Sequence, residues 1–334
     1  MAKRVRLADI AERVGVSPKT VSNVVNDTGS VSAVVRERIL ATIDELGYQP
    51  NLAARELRSG QSNMIALAVP RLSKAHFAEF VTGIIDAGRA RGVTVLVLQS
   101  RGNRVDERAI IEGERLPALG GIILNPLALT PEDIAARNST VPLLFIGEHG
   151  LTLAAPDVTH VGSDNIAGSR AATEFLLTNG GKRIAAIGLQ NRLDATAQVR
   201  FAGYRAALES AGIAVDPDLL VHVADYNRAE GSRAIEELLA RGAAFDSVFC
   251  FNDSLASGAV HALARHGIIV PDDVSVIGYD NTEESRYMVP SLPSIDTGLT
   301  TASDLILDIL LNPDHSRGGS VELPFTLRTG DVSP

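Results

Sequence analysis

Residues Ser17-Pro18-Lys19-Thr20-Val21-Ser22-Asn23-Val24-Val25-Asn26 carry the signals for one short helix with two different faces. Ser17 is a favoured N-cap residue, and proline suits the first helical position because no backbone N–H is needed there. Helical spacing places Val21, Val24 and Val25 together on one face. The other face carries Pro18, Lys19, Ser22, Asn23 and Asn26. The stretch therefore predicts an amphipathic helix whose outer face is rich in hydrogen-bonding groups.

The residues before this helix predict a second one packed against it. Leu7, Ile10, Ala11 and Val14 repeat at helical spacing, and Gly15-Val16 interrupts the pattern just before Ser17. Two short amphipathic helices joined by a tight glycine turn are typical of a helix-turn-helix, whose second helix enters the DNA major groove. The residues alone also allow an ordinary helical hairpin with a solvated polar face. A third helix is expected from Ser32 to Leu46.

Composition and charge bound the class of protein. The chain has 334 residues, of which 45% are hydrophobic, so two or three folded domains are expected. One cysteine, Cys250, excludes an internal disulfide framework and favours a reducing compartment. Residues 1–60 carry nine Lys/Arg and seven Asp/Glu, whereas the remainder carries 22 and 33. Positive charge is thus concentrated beside the predicted DNA-binding helix, while the rest is acidic.

The start of the chain and its hydropathy predict where the protein resides. Met1-Ala2-Lys3-Arg4 contains basic residues, but no apolar segment of a secretory signal follows them. No stretch approaches the roughly 18 uninterrupted apolar residues of a membrane span. We therefore expect a cytoplasmic, nucleoid-associated protein that has no membrane partner.

A polar linker follows the three predicted helices. Asn51 is able to cap a helix of about two turns that Ser59-Gly60 would end. A helix this short is unstable alone because nucleation is costly, so it needs DNA or a second copy as a partner. A plain flexible linker remains the alternative. The expected division is a headpiece at 1–50, a hinge and linker at 51–63, and a core at 64–334.

From Met64 onward, short apolar runs alternate with helical patterns. Such alternation is typical of doubly wound α/β folds, in which right-handed crossovers connect parallel strands. About 270 residues of this kind favour two lobes of one design. The predicted strands are 65–69, 93–98, 121–124, 143–146, 184–187, 219–223, 248–251 and 274–277; the predicted helices are 77–91, 105–116, 164–179, 195–211, 229–241, 254–266 and 300–311.

Parallel sheets of this type bind ligands beyond the carboxyl ends of their strands. Polar residues at these positions are therefore candidate pocket residues, although each one could instead serve a loop or cap a helix. Asp253 in particular is a possible helix cap. The candidates are Asn125, Glu148, Asn252, Asp253, Asp280 and Asn281.

From about Val5 to the C-terminus, the chain resembles transcription regulators of the lactose-repressor/galactose-repressor (LacI/GalR) family. Four motifs in the family's order carry this resemblance. They are Leu7-Ala8-Asp9-Ile10-Ala11-Glu12-Arg13-Val14-Gly15-Val16-Ser17 with Thr20-Val21-Ser22; Leu46-Gly47-Tyr48-Gln49-Pro50-Asn51 with Ala54-Arg55-Glu56-Leu57; Phe251-Asn252-Asp253; and Pro271-Asp272-Asp273-Val274-Ser275-Val276-Ile277-Gly278-Tyr279-Asp280.

The resemblance implies a homodimeric repressor that binds double-stranded DNA at a pseudo-palindromic operator. It implies that Pro18, Lys19 and Asn23 read bases, and that Leu57 wedges into a minor-groove step and kinks the duplex. The full set of expected DNA contacts is Ser17, Pro18, Lys19, Thr20, Ser22, Asn23, Asn26, Ala54 and Leu57.

The resemblance also implies a two-lobed core of the periplasmic-binding-protein type, in which the chain crosses between lobes three times. The expected lobes are 64–162 with 293–320, and 163–292 with 321–334. Arg200 and Asp280 match effector-binding positions, and together they suit vicinal hydroxyl groups. The expected effector contacts are Phe77, Asn125, Glu148, Asp164, Arg200, Tyr226, Asn252 and Asp280. The effector is expected to be a small molecule, most often a sugar in this family, with nucleobases a minority.

Three departures from the family pattern concern the headpiece. Many members carry Arg or His at the position of Asn23, so their operator preference does not transfer. Arg6 replaces the usual threonine cap, and Ala33-Val34-Val35 replaces a helix start that contains Pro and Glu. The last two predict a slightly looser headpiece.

Two other classes of protein fit the sequence less well than a regulator does. A sugar-modifying α/β enzyme with a fused DNA-binding module is disfavoured, because the sequence lacks a Walker A loop, a dinucleotide glycine fingerprint, Gly-x-Ser-x-Gly and HExxH. His261 and His266 are five residues apart, a poor spacing for a metal site, and Cys250 lies in an apolar run. A secreted solute-binding protein would need a signal sequence. We therefore expect no enzymatic activity, no cofactor and no metal.

Overall fold

The computed structural model describes residues 5–25, 28–48, 62–153, 155–190, 195–312 and 318–330. The chain divides into two compact units, Met1–Gln61 and Ser62–Pro334. Among the described residues, no helix is both long enough and apolar enough to cross a membrane.

The first unit contains the three expected helices. They are α1 (Leu7–Val14), α2 (Pro18–Val25) and α3 (Ala33–Leu46). Ile10, Val21 and Ile39, one from each helix, are completely buried and form the centre of the small core. The periodic apolar positions of the sequence therefore do face one another, as a helical bundle requires.

Local capping explains where these helices begin and end. The Ser17 hydroxyl accepts a hydrogen bond from the backbone N–H of Thr20 at 3.1 Å, which confirms the predicted N-cap of α2. Gly15 ends α1 in the left-handed conformation (φ 78°). Arg6 cannot accept such a bond, but its backbone N–H donates to the Asp9 carboxylate at 2.7 Å. Asp9 thus holds the first turn of α1 from inside the helix, so this start is better fixed than the missing threonine suggests.

The second unit contains two six-stranded sheets. The first consists of β1 (Met64–Val69), β2 (Thr94–Gln99), β3 (Gly121–Leu124), β4 (Leu143–Ile146), β5 (Val158–Ser163) and β11 (Gly319–Leu323), in the order β11-β5-β4-β3-β1-β2. The second consists of β6 (Ile184–Leu189), β7 (Leu220–His222), β8 (Ser247–Cys250), β9 (Ser275–Tyr279), β10 (Ser294–Asp296) and β12 (Thr326–Arg328), in the order β12-β10-β9-β8-β6-β7. All neighbouring strands are parallel except β10 and β12.

Helices cover these sheets and define two lobes, each named after its sheet. The first lobe contains α4 (Ala75–Ala90), α5 (Arg104–Glu112), α6 (Pro131–Ala135), α7 (Glu148–Leu151) and α13 (Ser303–Leu311). The second lobe contains α8 (Asn165–Thr178), α9 (Ala195–Ser210), α10 (Arg228–Ala240), α11 (Asp253–Arg265) and α12 (Glu283–Arg286). The central strands are apolar on both faces because helices pack on both sides. The doubly wound architecture expected from the alternating pattern is therefore confirmed.

The chain passes between the sheets three times, after β5, β10 and β11. The second passage follows Asp296 and the third follows Leu323, a few residues later than the expected boundaries at 293 and 321. The reason lies in the strands themselves. β10 has only three residues, and the outer positions of β11 are exposed, so neither forms the apolar run by which a buried strand is recognised.

Other differences from the expected elements have equally local causes. The helix expected at 105–116 ends at Glu112, because Gly113 adopts the left-handed conformation (φ 72°). The helix expected from 300 begins at Ser303. β5 was not predicted because Thr159, His160 and Gly162 interrupt its hydrophobic pattern.

Candidate functional site

A cavity of about 560 Å³ lies between the two lobes. Its volume falls within the range of pockets that hold small molecules, about 300–1,000 Å³. It lies where strands of both sheets end, since Asn125 follows β3, Glu148 follows β4 and Asp280 follows β9. The predicted residues that line it are Phe77, Asn125, Glu148, Arg200, Tyr226 and Asp280.

Two predicted effector contacts do not line this cavity, because their side chains cap helices instead. Asp164 accepts a hydrogen bond from the backbone N–H of Ala167 at 2.9 Å at the start of α8. Asn252 is almost completely buried and accepts from the backbone N–H of Leu255, also at 2.9 Å. An Asp or Asn between a strand and a helix is suited both to cap the helix and to contact a ligand. Here Asp164 and Asn252 cap α8 and α11.

Asp253 and Asn281 also have structural partners outside the cavity lining. The Asp253 carboxylate accepts hydrogen bonds from the backbone N–H of Thr282 (2.7 Å) and from the Ser294 hydroxyl (2.6 Å). Asp253 therefore ties the segment after β9 to β10, and the cap of α11 is its neighbour Asn252. The Asn281 amide donates to Asp296 at 3.1 Å.

Arg200 is the most constrained charged side chain in the cavity. It is buried on α9, and its Nε donates to the side-chain oxygen of Asn165 at 3.2 Å. One terminal nitrogen donates to the Phe251 carbonyl, and the guanidinium carbon lies 3.8 Å from the centre of the Tyr279 ring. These contacts hold the guanidinium fork in one orientation before any ligand arrives.

Asp280 faces Arg200 from the end of β9. Its Oδ1 lies 3.5 Å from Nη2 of Arg200, and its backbone has a left-handed φ of 101°, which is rare outside glycine. Burial raises the pKa of Asp280 to about 7, against the opposing effect of Arg200. Burial alone would lower the pKa of Arg200, but the charges of Asp280 and Glu148 raise it above its usual value. The cavity thus presents a permanent cation beside a carboxylate that titrates near neutral pH.

The first lobe contributes Glu148 and His76 to the same cluster. Glu148 accepts a hydrogen bond from the Thr196 hydroxyl at 2.8 Å, and its Oε1 lies 3.9 Å from Nη2 of Arg200. His76 Nδ1 lies 3.4 Å from Oδ2 of Asp280. Desolvation, with the positive charges of Arg200 and Lys74, lowers the pKa of His76 to about 3. His76 is therefore neutral at physiological pH.

Sequence reasoning missed several cavity residues because strand-end position alone does not reveal them. Ser163 is the clearest example, since its buried hydroxyl has no hydrogen-bond partner among the described residues. A buried hydroxyl without a partner is costly and favours a ligand contact. The other missed polar lining residues are Arg71, Lys74, His76, Arg101, His149, Asn165, Gln190, Thr196, Asp225, Thr297 and Thr300.

The predicted DNA-reading helix presents its polar face outward. Val21 and Val24 are buried, Ser17, Pro18 and Lys19 are exposed, and Thr20, Ser22 and Asn23 are partly exposed. Asn26, Ala54 and Leu57 lie outside the described residues. The exposed start of α2 is the end that contacts bases in helix-turn-helix proteins.

Cys250 and His266 do not line the cavity. Cys250 is fully buried, and burial raises the pKa of its thiol. His266 lies on the surface, 2.7 Å from Glu236. In the part of the chain that the structure describes, no group of three His, Cys, Asp or Glu side chains is placed to hold a metal ion.

Two family models match the chain. The model for bacterial regulatory proteins of the lacI family matches residues 6–51, and the model for a periplasmic binding protein-like domain matches residues 173–330.

Individual proteins match over nearly the whole chain. The HTH-type transcriptional repressor PurR of Vibrio campbellii is 30% identical over 318 residues, which cover 93% of each chain. The lac repressor dimer bound to operator and the anti-inducer ONPF is 28% identical with a TM-score of 0.83, covering 97% of this chain and 98% of that one. The transcriptional regulator CelR in complex with cellobiose is 27% identical with a TM-score of 0.69, covering 98% and 99%.

Proposed function

Because the chain belongs to the lacI family of bacterial regulatory proteins, a family of DNA-binding transcription regulators, we propose that it is a repressor controlled by a carbohydrate effector. The effector binds in the cavity between the lobes and changes the affinity of the helix-turn-helix for its operator. No cofactor takes part, and the protein acts as a sensor and not as an enzyme.

The observation that carries this proposal is the pairing of Arg200 with Asp280 in the cavity. A guanidinium supplies two parallel donors, and an adjacent carboxylate accepts from hydroxyl groups, so the pair matches vicinal hydroxyls of a sugar. Phe77 and Tyr226 supply apolar surface for the ring, and Glu148 offers acceptors from the other lobe. The cavity is large enough for a sugar of more than one ring, as in the cellobiose complex of CelR.

The operator is read by a homodimer. One small headpiece offers few contacts, and two-fold symmetry doubles them on a pseudo-palindromic duplex. Tyr287 and Val289 support this, because they leave 79% and 96% of their surface exposed on the second lobe. Large apolar side chains exposed to this extent favour a protein interface. The lac repressor is likewise a dimer on its operator.

Within each subunit, Pro18, Lys19 and Asn23 read bases from α2, and Leu57 of the hinge wedges between base pairs. Residues 51–58, which lie outside the described residues, fold on the DNA, because a helix of two turns needs a partner. Leu57→Ala should therefore weaken specific binding more than non-specific binding. Equal loss on operator and random DNA argues against the wedge.

A ligand screen followed by DNA titration tests the proposal. Sugars and nucleobases are screened by thermal shift, and operator binding is then titrated with and without each compound that raises the Tm. The parent protein is compared with Arg200→Lys and Asp280→Asn, which preserve size, and with the exposed control Lys182→Ala. The two cavity variants should keep operator binding and lose at least tenfold in effector affinity.

Coupling between the two sites is reciprocal, so DNA must change effector affinity by the same factor as the effector changes DNA affinity. If both cavity variants respond to the ligand as the parent does, the site is wrong. If a sugar is consumed during incubation, the protein is an enzyme.

A further inference from the structure

The rim of the cavity carries two arginines that the proposed sugar-binding pair does not use. Arg71 and Arg101 are exposed and line the cavity from the first lobe. Neither guanidinium makes a hydrogen bond or an ion pair with any described residue. The other cationic lining residues are already paired, since Lys74 contacts Asp225 at 2.8 Å and Arg200 contacts Asp280 at 3.5 Å.

Backbone hydrogen bonds hold the two arginines on neighbouring loops. Arg71 follows β1 and Arg101 follows β2, and these strands pair in parallel, so both residues emerge at the same edge of the sheet. The backbone N–H of Arg101 donates to the Pro70 carbonyl at 3.0 Å, beside Arg71. The Gln99 side chain accepts from the N–H of Leu72 at 3.2 Å and ties the same loops a second time.

Arg101 has a backbone conformation that is unfavourable for residues other than glycine and asparagine. Its φ is +58°, in the left-handed region that glycine or asparagine adopts at lower cost. Gly102 follows with φ 62°, so the turn places a long charged side chain where a small residue would fit more easily. Such strain persists where the surrounding structure enforces it, and it clusters at ligand-binding sites.

We propose that Arg71 and Arg101 form a subsite for an anionic group of the effector, which is therefore a sugar acid or a sugar phosphate. This inference rests on the proposed function and refines its ligand class. The hydroxyl groups of the ligand meet Arg200 and Asp280 in the interior, while its carboxylate or phosphate lies at the rim. Arginine suits both anions because its planar fork binds two oxygens at once.

The electrostatic balance of the lining agrees with an anionic ligand. The carboxylates of the lining, Glu148, Asp225 and Asp280, have partners at Thr196, Lys74 and Arg200. Two positive charges at the rim remain without a counter-charge from the described residues. A ligand with one or two negative charges neutralises them, whereas a neutral sugar leaves them unchanged.

Matched ligand pairs test the proposal on the full-length protein. Glucose is compared with glucuronate, gluconate and glucose 6-phosphate, and galactose with galacturonate and galactose 6-phosphate, by thermal shift and then by calorimetric titration. At least one anionic compound should bind at least tenfold more tightly than its neutral parent, and the acid and phosphate members distinguish the two sources of charge. Added salt should weaken binding of the anion and not of the neutral sugar.

The double variant Arg71→Gln/Arg101→Gln should lose at least tenfold in affinity for that anion and less than twofold for the neutral sugar. Arg89→Gln, an exposed arginine on α4 outside the cavity, is the matched control and should bind as the parent does. The proposal is overturned if no anionic compound binds more tightly than its parent, or if the double variant keeps its anion affinity. Failure of the proposed function would give a different result. In that case the ligand binds in the cavity, but the affinity of the protein for its operator is the same with and without the ligand.

Discussion

Lys74 of the first lobe and Asp225 of the second lobe form an ion pair beside the cavity, with Nζ 2.8 Å from Oδ1. The same ammonium donates to the Tyr226 carbonyl at 2.5 Å. Lys74 is largely buried, with 14% of its side chain exposed, so water competes little for its donors. The lobes are therefore joined by a charge-assisted contact in addition to the three chain passages. Further contacts between the lobes are His76–Asp280, Thr196–Glu148 and the backbone N–H of Glu283 with Glu79.

Breaking this pair should favour an open arrangement of the lobes. Lys74→Met and Asp225→Asn each remove the ionic contact, which is worth about 1 kcal/mol after allowance for the partly exposed Asp225. Effector affinity should fall about fivefold, because the arrangement in which the two lobes are in contact, as in the structure, is less populated. Small-angle scattering should show a larger radius of gyration for each variant without ligand.

A double-mutant cycle provides the control for the Lys74–Asp225 contact. If the two residues act through each other, the double variant loses little more than either single variant. Fully additive losses would mean that Lys74 and Asp225 act independently.

Effector binding should depend on pH through Asp280. Burial raises the pKa of Asp280 to about 7, so the ionised form that accepts two hydrogen bonds becomes dominant only above neutral pH. Affinity for a neutral sugar should therefore rise between about pH 6 and about pH 8, by up to about tenfold per unit below the pKa. His76, with a pKa of about 3, stays neutral throughout. Titrations of Asp280→Asn should show weak binding without this slope, and an unchanged slope would assign it to another group.

The carboxyl group of Asp280 should affect the stability of the protein in the opposite direction: effector affinity rises with pH, whereas the contribution of Asp280 to the free energy of unfolding falls. Because the pKa of Asp280 is higher in the folded protein than its usual value of 3.8, the native state holds the proton more tightly. The contribution of Asp280 to the free energy of unfolding therefore falls as pH rises from about 4 to about 7. Chemical denaturation of the parent and of Asp280→Asn across this range measures the difference. Asp253, whose pKa is raised to about 7 by burial and by Asp280, contributes with the same sign. Because Asp280→Asn removes the charge that helps to raise the pKa of Asp253, the measured difference includes that effect.

Lys19→Ala should weaken operator binding in a base-specific way. Lys19 is exposed at the start of α2, where helix-turn-helix proteins contact base edges. We expect a loss of about 1–3 kcal/mol that disappears for operators altered at one base pair, with only a small change in the salt dependence. Lys182→Ala, an exposed lysine of the second lobe, serves as the control. A uniform loss on all sequences would make Lys19 a phosphate contact.

A carboxylate in place of the exposed Val289 of the second lobe, beside the exposed Tyr287, should dissociate the dimer. Val289→Asp places an unpaired charge in the proposed interface, which should raise the dimer dissociation constant about a hundredfold or more. Val105→Asp is the control, since Val105 is 74% exposed on α5 of the first lobe. Sedimentation at micromolar concentration should show a monomer for the first variant and a dimer for the second. Dimers in both cases would place the interface elsewhere.

The sequence allowed the headpiece to be predicted well because its signals are local. Ser17, Gly15 and the valines of α2 act on neighbours within one or two turns, so their roles follow from spacing alone. The apolar central strands were found for the same reason. β10, β11 and β12 were not, because they are short or half exposed, and long-range pairing alone makes them strands.

The cavity was predictable only in part, because its chemistry depends on contacts between distant residues. Asn125 and Asn252 both follow buried strands, yet only Asn125 lines the cavity and Asn252 caps α11. His76 carries no local signal of its role, since that role comes from Asp280, about two hundred residues later. Arg71 and Arg101 are ordinary surface residues in the sequence and become neighbours only through the pairing of β1 with β2.

The three passages between the lobes have a mechanical consequence. Gly162 and Ser163 at the first passage, and Thr297 and Thr300 at the second, line the cavity, so a bound molecule touches the pivot of the lobes directly. The three connecting segments resist sliding of one lobe past the other, so rotation about them is the easiest relative motion of the lobes. A ligand bound beside this axis acts close to it. A shift of the connecting segments by a fraction of an ångström there therefore moves the far ends of the lobes by several ångströms.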